Sequence, residues 1–273
     1  MSERTTSSDV PDHLGDQIAD WYAELTWRRG TTVVTPDSTS WVLLSPEWPS
    51  SYANNGIVVR ADPGAAALLA WGDEHLGGAG LEHRHVFALC DLGTGTRDTL
   101  TAAGYTCEAE VIQVRPASAG PLASPSGVVV EEVPLAEADA LQATLWREEW
   151  LPNAAPETVR QLVARRASYS RSGEMVTLLV RDPATGEPAA TTDVCIAGQA
   201  AEVDGVATRA AFRGRGYGDA MLAAAVSIAA DRGCAHVALT AMSDDWPKDW
   251  YARRGFITTG PAWAATRNPA GET

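Results

Sequence analysis

Residues 209–233 read RAAFRGRGYGDAMLAAAVSIAADRG, and this stretch decides how the rest of the chain is interpreted. Three glycines, Gly214, Gly216 and Gly218, alternate with other residues directly in front of an alanine-rich segment. That segment has no glycine or proline over residues 219–232 and predicts a helix. Residues 200–212, AAEVDGVATRAAF, predict a strand in front of the loop. The order strand, glycine loop and helix predicts a crossover connection in a mixed α/β sheet.

The glycine loop has the features of an anion-binding site. Backbone N–H groups at the start of a helix carry the positive end of the helix dipole. Glycine lets an anion approach the main chain and adopts positive φ without strain. Arg213 and Arg215 add positive charge. We therefore expect the loop to hold a pyrophosphate, with a tight structural turn as the alternative.

Two nucleotide-binding motifs are disfavoured at this loop. A P-loop requires a lysine after its last glycine, and none follows here. The dinucleotide fingerprint requires the spacing G-x-G-x-x-G in a βαβ unit, whereas these glycines alternate. The pyrophosphate is therefore expected to belong to a cofactor that is held rather than hydrolysed.

Composition restricts the partners. The chain has 273 residues, 45% of them hydrophobic, and a formal net charge of −14, so it is long enough for two domains. The negative charge disfavours nucleic acid or an anionic membrane as partner, because neutralising phosphates requires an excess of lysine and arginine. It suits a small cationic substrate. The N-terminus is polar and no apolar run reaches about 18 residues, so we expect a cytoplasmic protein without a signal peptide.

The cysteines do not form a recognisable motif. Cys90, Cys107, Cys195 and Cys234 are scattered and include no C-x-x-C pair. No histidine stands beside them at metal-ligand spacing. We expect four reduced thiols, no disulfide and no metal.

The two halves of the chain resemble distant copies of one unit. HVALTAM at residues 236–242 precedes a polar stretch and Gly255, and HVFALCD at residues 85–91 precedes a similar stretch and Gly104. Each strand candidate follows an alanine- and leucine-rich helical segment. The proline-rich stretch between the halves reads as a linker. We therefore predict a degenerate domain over residues 1–118, a linker over 119–126 and a catalytic domain over 127–273.

The halves differ where chemistry is expected. The first half has RADPGAAA in place of RGRGYG, and Leu100 in place of Tyr251. We therefore expect the first domain to retain the scaffold without the site, and to have a structural or substrate-contributing role.

Periodicity and turn residues outline the second half. Strands are predicted at 127–133, 174–182, 187–197, 200–212 and 236–242, with a final strand pair near 255–267. Helices are predicted at 135–150, 156–170 and around 246–253, besides the one after the glycine loop. The predicted fold class is α/β (α+β): two tandem domains, each with a mixed, mostly antiparallel sheet flanked by helices.

Two motifs carry a resemblance to a known family. RGRGYG matches the signature R/Q-x-x-G-x-G/A of the GNAT acetyltransferase superfamily through Arg213, Gly216 and Gly218. WYARRGF resembles the closing element of that superfamily through Tyr251 and its Gly-Phe pair. The resemblance covers about residues 126–267, and the first half is similar to the degenerate copy of tandem GNAT proteins.

The resemblance implies an enzyme that uses acyl-CoA, most simply acetyl-CoA, as co-substrate. The strand before the glycine loop is expected to splay from strand 236–242, so that the pantetheine lies in the gap and backbone groups polarise the thioester carbonyl. Asp244 stands where many relatives have an asparagine, which puts one contact with CoA in doubt. The expected cofactor-binding residues are Val206, Ala207, Thr208, Arg213, Gly214, Arg215, Gly216, Tyr217, Gly218, Asp219 and Asp244.

The resemblance also implies catalytic roles. Tyr251 is expected to donate a proton to the departing thiolate. Glu202 and Asp204 are alternative general bases, and their equal strand parity predicts that both point to one face. Either acts directly or through water, and deprotonation of the amine by solvent is a further alternative.

The acceptor is expected near the first two helices of the second domain. Trp146 and Trp150 lie four residues apart and are expected on one helix face. With Glu149 they suit a cationic amine. The alternative is that the tryptophans belong to the core and the acids are solvated.

We therefore predict an N-acyltransferase that acts on a primary amine of a small molecule by direct attack in a ternary complex. A non-catalytic, regulatory acyl-CoA-binding protein is the alternative from another class. A different acyl carrier, or a peptide or protein amine, are further alternatives. No nucleic-acid or membrane partner is expected, and the chain is expected to be a monomer or homodimer.

Overall fold

The computed structural model describes residues 13–269, which contain seven α-helices and eleven β-strands. The helices are α1 Leu14–Trp27, α2 Ala65–Trp71, α3 Thr94–Ala102, α4 Asp139–Leu145, α5 Pro156–Ala164, α6 Tyr217–Asp231 and α7 Trp246–Ala252. The strands are β1 Thr32–Asp37, β2 Ser40–Leu44, β3 Gly56–Val59, β4 Arg84–Ala88, β5 Thr106–Pro116, β6 Val130–Val133, β7 Glu174–Arg181, β8 Pro188–Ala197, β9 Ala200–Thr208, β10 His236–Met242 and β11 Ile257–Arg267.

All eleven strands form one twisted sheet. Their order is β1-β2-β3-β4-β11-β5-β10-β9-β8-β7-β6. Neighbours are antiparallel except for β3 with β4 and β9 with β10, which are parallel. The mixed, mostly antiparallel sheet with flanking helices confirms the predicted fold class. Strands β7 and β8 form an antiparallel hairpin, joined by the turn PATG.

The last strands of the two halves are exchanged. Strand β11, from the second half, lies beside β4 of the first, and β5, from the first half, lies beside β10 of the second. The two exchanged strands pair with each other along most of their length. The sheet is therefore continuous across the predicted linker, and each half supplies a strand to the other.

The turn before each exchanged strand has the same geometry in both halves. Gly104 and Gly255 have φ of 87° and 83°, which favours glycine. The following amides, of Tyr105 and Phe256, donate to the carbonyls of Leu100 and Tyr251 at 3.0 and 3.3 Å. Leu100 and Tyr251 therefore occupy equivalent places, as the repeat in the sequence predicts.

The final strand pair predicted near 255–267 is wrong. Residues Ile257–Arg267 form the single strand β11, with an irregularity between Thr258 and Gly260. Hydrogen bonding on both sides, to β4 and β5, keeps the chain extended through Gly260 and Pro261 instead of letting it reverse.

Helix α6 explains the alanine-rich sequence after the glycine loop. Ala220, Ala225 and Ala229 are buried together with Met221 and Leu222. Met221, Leu222, Ala225 and Ala229 pack in one core cluster with strands β7 to β10. Small side chains let the helix lie close to the sheet, and this packing places the N-terminus of α6 over the gap after β9.

A second core cluster joins the halves. Leu14, Ile18 and Leu25 of α1 pack with Ile112 of β5 and Ala238 of β10. Arg29, two residues after the end of α1, forms an ion pair with a residue of the second half, as described below.

The cysteines within residues 13–269 are free thiols. No helix in this part of the chain is long and apolar enough to span a membrane. The same residues contain no group of three or more His, Cys, Asp or Glu side chains that could hold a metal ion.

Candidate active site

A cleft opens where β9 and β10 diverge. The two strands pair only from Ala200 to Glu202, opposite His236 to Ala238. Beyond that point the register of β9 against β8 shifts, and Gly205 adopts φ of 65°. Such a bulge bends a strand away from its neighbour. The resulting cleft has a volume of about 1100 Å³ and is lined by both strands.

The glycine loop borders one end of this cleft. Gly214 and Gly216 adopt φ of 77° and 80°, and Gly216 is the N-cap of α6. A Cβ on Gly216 would lie 2.7 Å from Cγ of Pro125, in the predicted linker. Among the described residues, no side chain caps the first amides of α6, which is the geometry of an anion site at a helix N-terminus.

Two side chains of the loop share one carboxylate partner. The Tyr217 hydroxyl donates to Asp182 at 2.7 Å, and the Arg215 guanidinium forms an ion pair with the same carboxylate. Asp182 also accepts from the amides of Ala184 and Thr185. The hydrogen bond from Tyr217 and these amides lower the pKa of Asp182. Arg215 and Tyr217 thus anchor the loop through Asp182. Tyr217 lines the cleft, whereas Arg215, which was also expected to bind the cofactor, is not among the described lining residues.

Asp182 was missed by sequence reasoning. It stands at the start of the turn between β7 and β8, and its only signal was membership of a turn motif, RDPATG.

Arg213 connects the loop to the segment Trp146–Trp150. Its guanidinium forms an ion pair with Glu149, and its Nε donates to the carbonyl of Thr208 at 3.2 Å. Glu149 also accepts from the amide of Ala210 at 2.9 Å. Arg213 and Glu149 therefore lie together in the cleft lining.

Helix α7 places Tyr251 in the cleft. The helix begins at Trp246, and the carboxylate of Asp245 caps it by accepting from the Trp246 amide at 2.7 Å. Pro247 lies in the first turn, as predicted. Asp245 lines the cleft, whereas the predicted residue Asp244 is exposed and is not part of the lining.

The phenol of Tyr251 is buried and keeps its proton. Its ring packs against Trp250 and Phe256, with centroids 4.7 and 5.8 Å away. Burial and the negative charge of Asp204 raise the pKa of Tyr251. Among residues 13–269, its hydroxyl has no hydrogen-bond partner. It is therefore a neutral donor that faces the cleft.

Glu202 and Asp204 both line the cleft, as their equal parity predicts. Glu202 is buried and forms an ion pair with Arg29. Burial raises the pKa of Glu202, while the Arg29 guanidinium opposes that shift. Arg29 in turn stacks over the ring of Tyr169 at 3.9 Å. Sequence reasoning missed Arg29, because its partner lies 173 residues away.

Asp204 is engaged differently. Its carboxylate accepts a hydrogen bond from the Tyr169 hydroxyl at 2.7 Å. It borders the main cleft and also a side pocket of about 200 Å³. Asp204 is thus the carboxylate at the junction of the two spaces.

Trp146 and Trp150 lie at this side pocket. Their rings meet edge to face at 4.8 Å, which confirms that they share a face of the helical segment. Trp150 is 38% exposed and borders the main cleft as well. Trp150 is therefore a wall of the site rather than a core side chain.

The remaining expected residues follow the cleft wall. The lining includes Val206, Ala207, Thr208, Gly214, Gly218 and Asp219. Asp219 is held by an ion pair with Arg254.

In the first half, the corresponding gap is closed. Strands β3 and β4 pair to the end of β3, at Val59 and Ala88. The carboxylate of Asp62 accepts from the amides of Gly64 and Gly93 at 2.8 and 2.9 Å. It thereby bridges the N-termini of α2 and α3, the counterparts of α6 and α7, across the place where the second half has its cleft.

Comparison with known proteins finds a family match in the second half. Residues 140–256 match the model of the acetyltransferase (GNAT) family. No curated protein matches the chain significantly.

Solved structures resemble the whole chain. A functionally unknown conserved protein from Staphylococcus epidermidis is 17% identical, with a TM-score of 0.69 over 87% of this chain and 94% of that one. A GCN5-related N-acetyltransferase from Kribbella flavida is 20% identical, with a TM-score of 0.62 over 94% and 96%. A tandem GNAT protein from the clavulanic acid biosynthesis pathway is 16% identical, with a TM-score of 0.54 over 97% and 98%. These similarities establish a fold that includes both halves.

Proposed function

Because residues 140–256 match the model of the acetyltransferase (GNAT) family, we propose that the chain transfers an acyl group, most simply acetyl, from CoA to a primary amine of a small molecule. The observation that carries the proposal is the cleft between β9 and β10, with the glycine loop at its border and Tyr251 in its wall. When bound, acyl-CoA supplies an activated thioester. The amine attacks it directly in a ternary complex.

The loop fits the pyrophosphate of CoA. The free amides at the start of α6 bind phosphate oxygens, and Gly214 and Gly216 keep Cβ atoms out of their way. Residues 206–208 present the main chain of β9 to the pantetheine, because beyond Glu202 they no longer pair with β10. The N–H groups in this segment that point away from β8 bind the pantetheine and polarise the thioester carbonyl.

Tyr251 serves as the acid. Its proton stays on the phenol at neutral pH because burial and Asp204 raise its pKa. A thiolate that leaves in this cleft takes up that proton, and solvent or the released amine proton restores the phenol.

Asp204 is the better general base of the two candidates. It lies at the junction of the cleft and the side pocket, and a tyrosine hydroxyl holds it in place. The Glu202 carboxylate is already bound to Arg29. We therefore assign Asp204 as the group that accepts the amine proton, directly or through water. Glu202 is assigned a structural role in β9, through its ion pair with Arg29.

The proposal also assigns a role to each domain. Residues 127–273 hold the catalytic site, residues 119–126 are the linker, and residues 1–118 are a degenerate copy that supports the site through Arg29 and β5. Residues 1–12 and 270–273 of these ranges lie outside the described part of the chain.

The test is an assay of thiol release. The purified chain is incubated with acetyl-CoA and a panel of polyamines, aminoglycosides and amino acids, with reactions lacking amine as the control for hydrolysis. Amine-dependent release is expected. Saturable CoA binding without turnover on any amine would favour the regulatory alternative, and absence of CoA binding would overturn the proposal.

A further inference from the structure

The side pocket beside Asp204 contains a cation to which the proposed reaction gives no role. Arg165 begins the helical turn Arg165–Arg171 after α5 and lines this pocket. Its Nη1 donates to the Tyr169 hydroxyl at 3.0 Å. Within residues 13–269, Arg165 has no carboxylate in ion-pair range, and its buried Nε has no hydrogen-bond partner.

The neighbouring arginine is compensated in full. Arg166 forms two hydrogen bonds with Asp193, at 2.6 and 2.8 Å, and a third with Asp139 at 3.0 Å. The charges of Arg166 and Asp193 therefore cancel within the pocket wall. Among the described lining residues, Arg165 is left as the unpaired cation and Asp204 as the unpaired carboxylate.

These two unpaired charges lie close to each other. The same Tyr169 hydroxyl accepts from Arg165 at 3.0 Å and donates to Asp204 at 2.7 Å. A ligand that satisfies both must carry an anion and an ammonium only a few bonds apart. An α-amino acid has that arrangement, and a guanidinium binds a carboxylate with two parallel hydrogen bonds.

The rest of the pocket suits the side chain of such a ligand. Trp146, Trp150 and Leu162 form apolar wall. The volume of about 200 Å³ equals that of roughly seven water molecules in the liquid, at about 30 Å³ each. This volume is large enough for a single amino acid.

We infer that the acceptor is a free α-amino acid whose carboxylate is bound by Arg165 and whose amino group lies beside Asp204. The inference rests on the proposed acyl transfer. In the reaction, the amino nitrogen forms the new N–C bond while the C–S bond breaks. The amine proton passes to Asp204 and on to solvent, and the thiolate takes the proton of Tyr251, which gives an N-acyl amino acid and CoA.

The experiment compares matched acceptors. The twenty common L-amino acids are tested with acetyl-CoA, and leucine, methionine and phenylalanine are each paired with the amine that lacks the carboxylate. For at least one pair, kcat/KM for the amino acid is expected to exceed that for the amine by about 100-fold, since a site built for a charged group rejects the analogue that lacks it.

Variants of Arg165 assign this preference to its guanidinium. Arg165→Met should lower kcat/KM for the amino acid far more than for the carboxylate-free amine and so remove the preference, and its urea unfolding shows whether the variant is folded. Arg165→Lys should restore part of it. Arg160→Met is the matched control, because Arg160 lies exposed on α5 and pairs with Glu157 outside the pocket.

Binding is measured separately from turnover, through the thermal stabilisation of the CoA-saturated protein by each amino acid and amine. Stabilisation by amino acids that depends on Arg165, without turnover, would show that the pocket binds an amino acid through Arg165 while the proposed transfer, and with it the role of acceptor, fails. Turnover of amines in preference to amino acids would overturn the inference and leave the transfer intact. An amino-acid preference that survives Arg165→Met, or no binding and no turnover of any amino acid, would also overturn it.

Discussion

At the scale of single residues, the phenol of Tyr251 is the most direct test of the proposed chemistry. Tyr251→Phe removes the proton donor and keeps the ring against Trp250 and Phe256. We expect kcat to fall by about 100-fold, the lower end of what a positioned acid contributes, with the affinity for acetyl-CoA nearly unchanged. Steady-state kinetics and calorimetric titration with CoA measure the two quantities.

Tyr105→Phe is the control for this change, because it removes a buried phenol at the matching turn of the first half. It should leave kcat unaltered. An unchanged kcat in Tyr251→Phe would show that Tyr251 is not the general acid.

The two carboxylates of β9 are expected to respond differently to neutralisation. Asp204→Asn still accepts from Tyr169, so it should keep its stability and lose about 100-fold in kcat/KM for the amine. Glu202→Gln leaves the buried Arg29 without its counter-charge, which costs about 3–5 kcal/mol of unfolding free energy. Urea unfolding and kinetics on both variants separate these effects. If Glu202→Gln were stable but had a low kcat, and Asp204→Asn were fully active, Glu202 would be the general base and Asp204 would not.

At the scale of elements, the sequence was sufficient to predict those features that depend on residues close together in the chain. The glycine loop, the helix after it and the capped start of α7 each depend on residues a few positions apart, and each lies where it was predicted. The side-chain directions of Arg215 and Tyr217 could not be predicted, because Asp182, which holds both, is more than 30 residues away.

The glycine loop allows a matched pair of substitutions. Gly214 and Gly216 both have positive φ, so alanine at either costs about 1–2 kcal/mol in backbone strain. Nothing lies within 4 Å of a Cβ on Gly214, whereas a Cβ on Gly216 meets Pro125 at 2.7 Å. Gly216→Ala should therefore lower the free energy of unfolding in urea, and the affinity for CoA, more than Gly214→Ala does.

A double-mutant cycle with Pro125→Ala tests the cause of that difference. Removing Cγ of Pro125 should recover part of the loss in Gly216→Ala and none of the loss in Gly214→Ala. Strictly additive effects at positions 125 and 216 would show that the contact with Pro125 is not responsible.

The pairing of β4 with β11 is expected to depend on pH through His85. Its Nδ1 lies 2.8 Å from the Thr266 hydroxyl on β11. Burial, with a smaller contribution from His83, lowers the pKa of His85 to about 4. Between pH 6.5 and about 4 the unfolded chain binds a proton that the folded chain does not, so stability falls as the pH falls through this window.

The expected loss from His85 is on the order of 1–3 kcal/mol. Urea unfolding from pH 7.5 to 4 measures it, with His85→Asn as the comparison, which should lose less stability over the same range. Identical pH profiles for the two proteins would contradict the lowered pKa.

At the scale of the whole molecule, the repeat was visible in the sequence and the exchange of strands was not. The 19-residue spacing from His85 to Gly104 and from His236 to Gly255 identifies equivalent elements. It does not say which copy each last strand joins, because β5 and β11 have equally apolar partners in either arrangement. Contacts over more than 100 residues decide this, as they do for the ion pair of Arg29 with Glu202.

The exchange predicts that the chain unfolds as one unit. Strand β5 pairs with β10 on one side and β11 on the other, so neither half keeps a complete sheet when the other unfolds. Tryptophan fluorescence and far-UV circular dichroism in urea should therefore show one coincident transition. Val114→Ala, in the buried centre of β5, should lower the unfolding free energy by on the order of 2 kcal/mol. Hydrogen exchange should then accelerate equally in peptides from residues 56–59 and 188–208. If the halves were independent, acceleration would be confined to one of them and two transitions would appear.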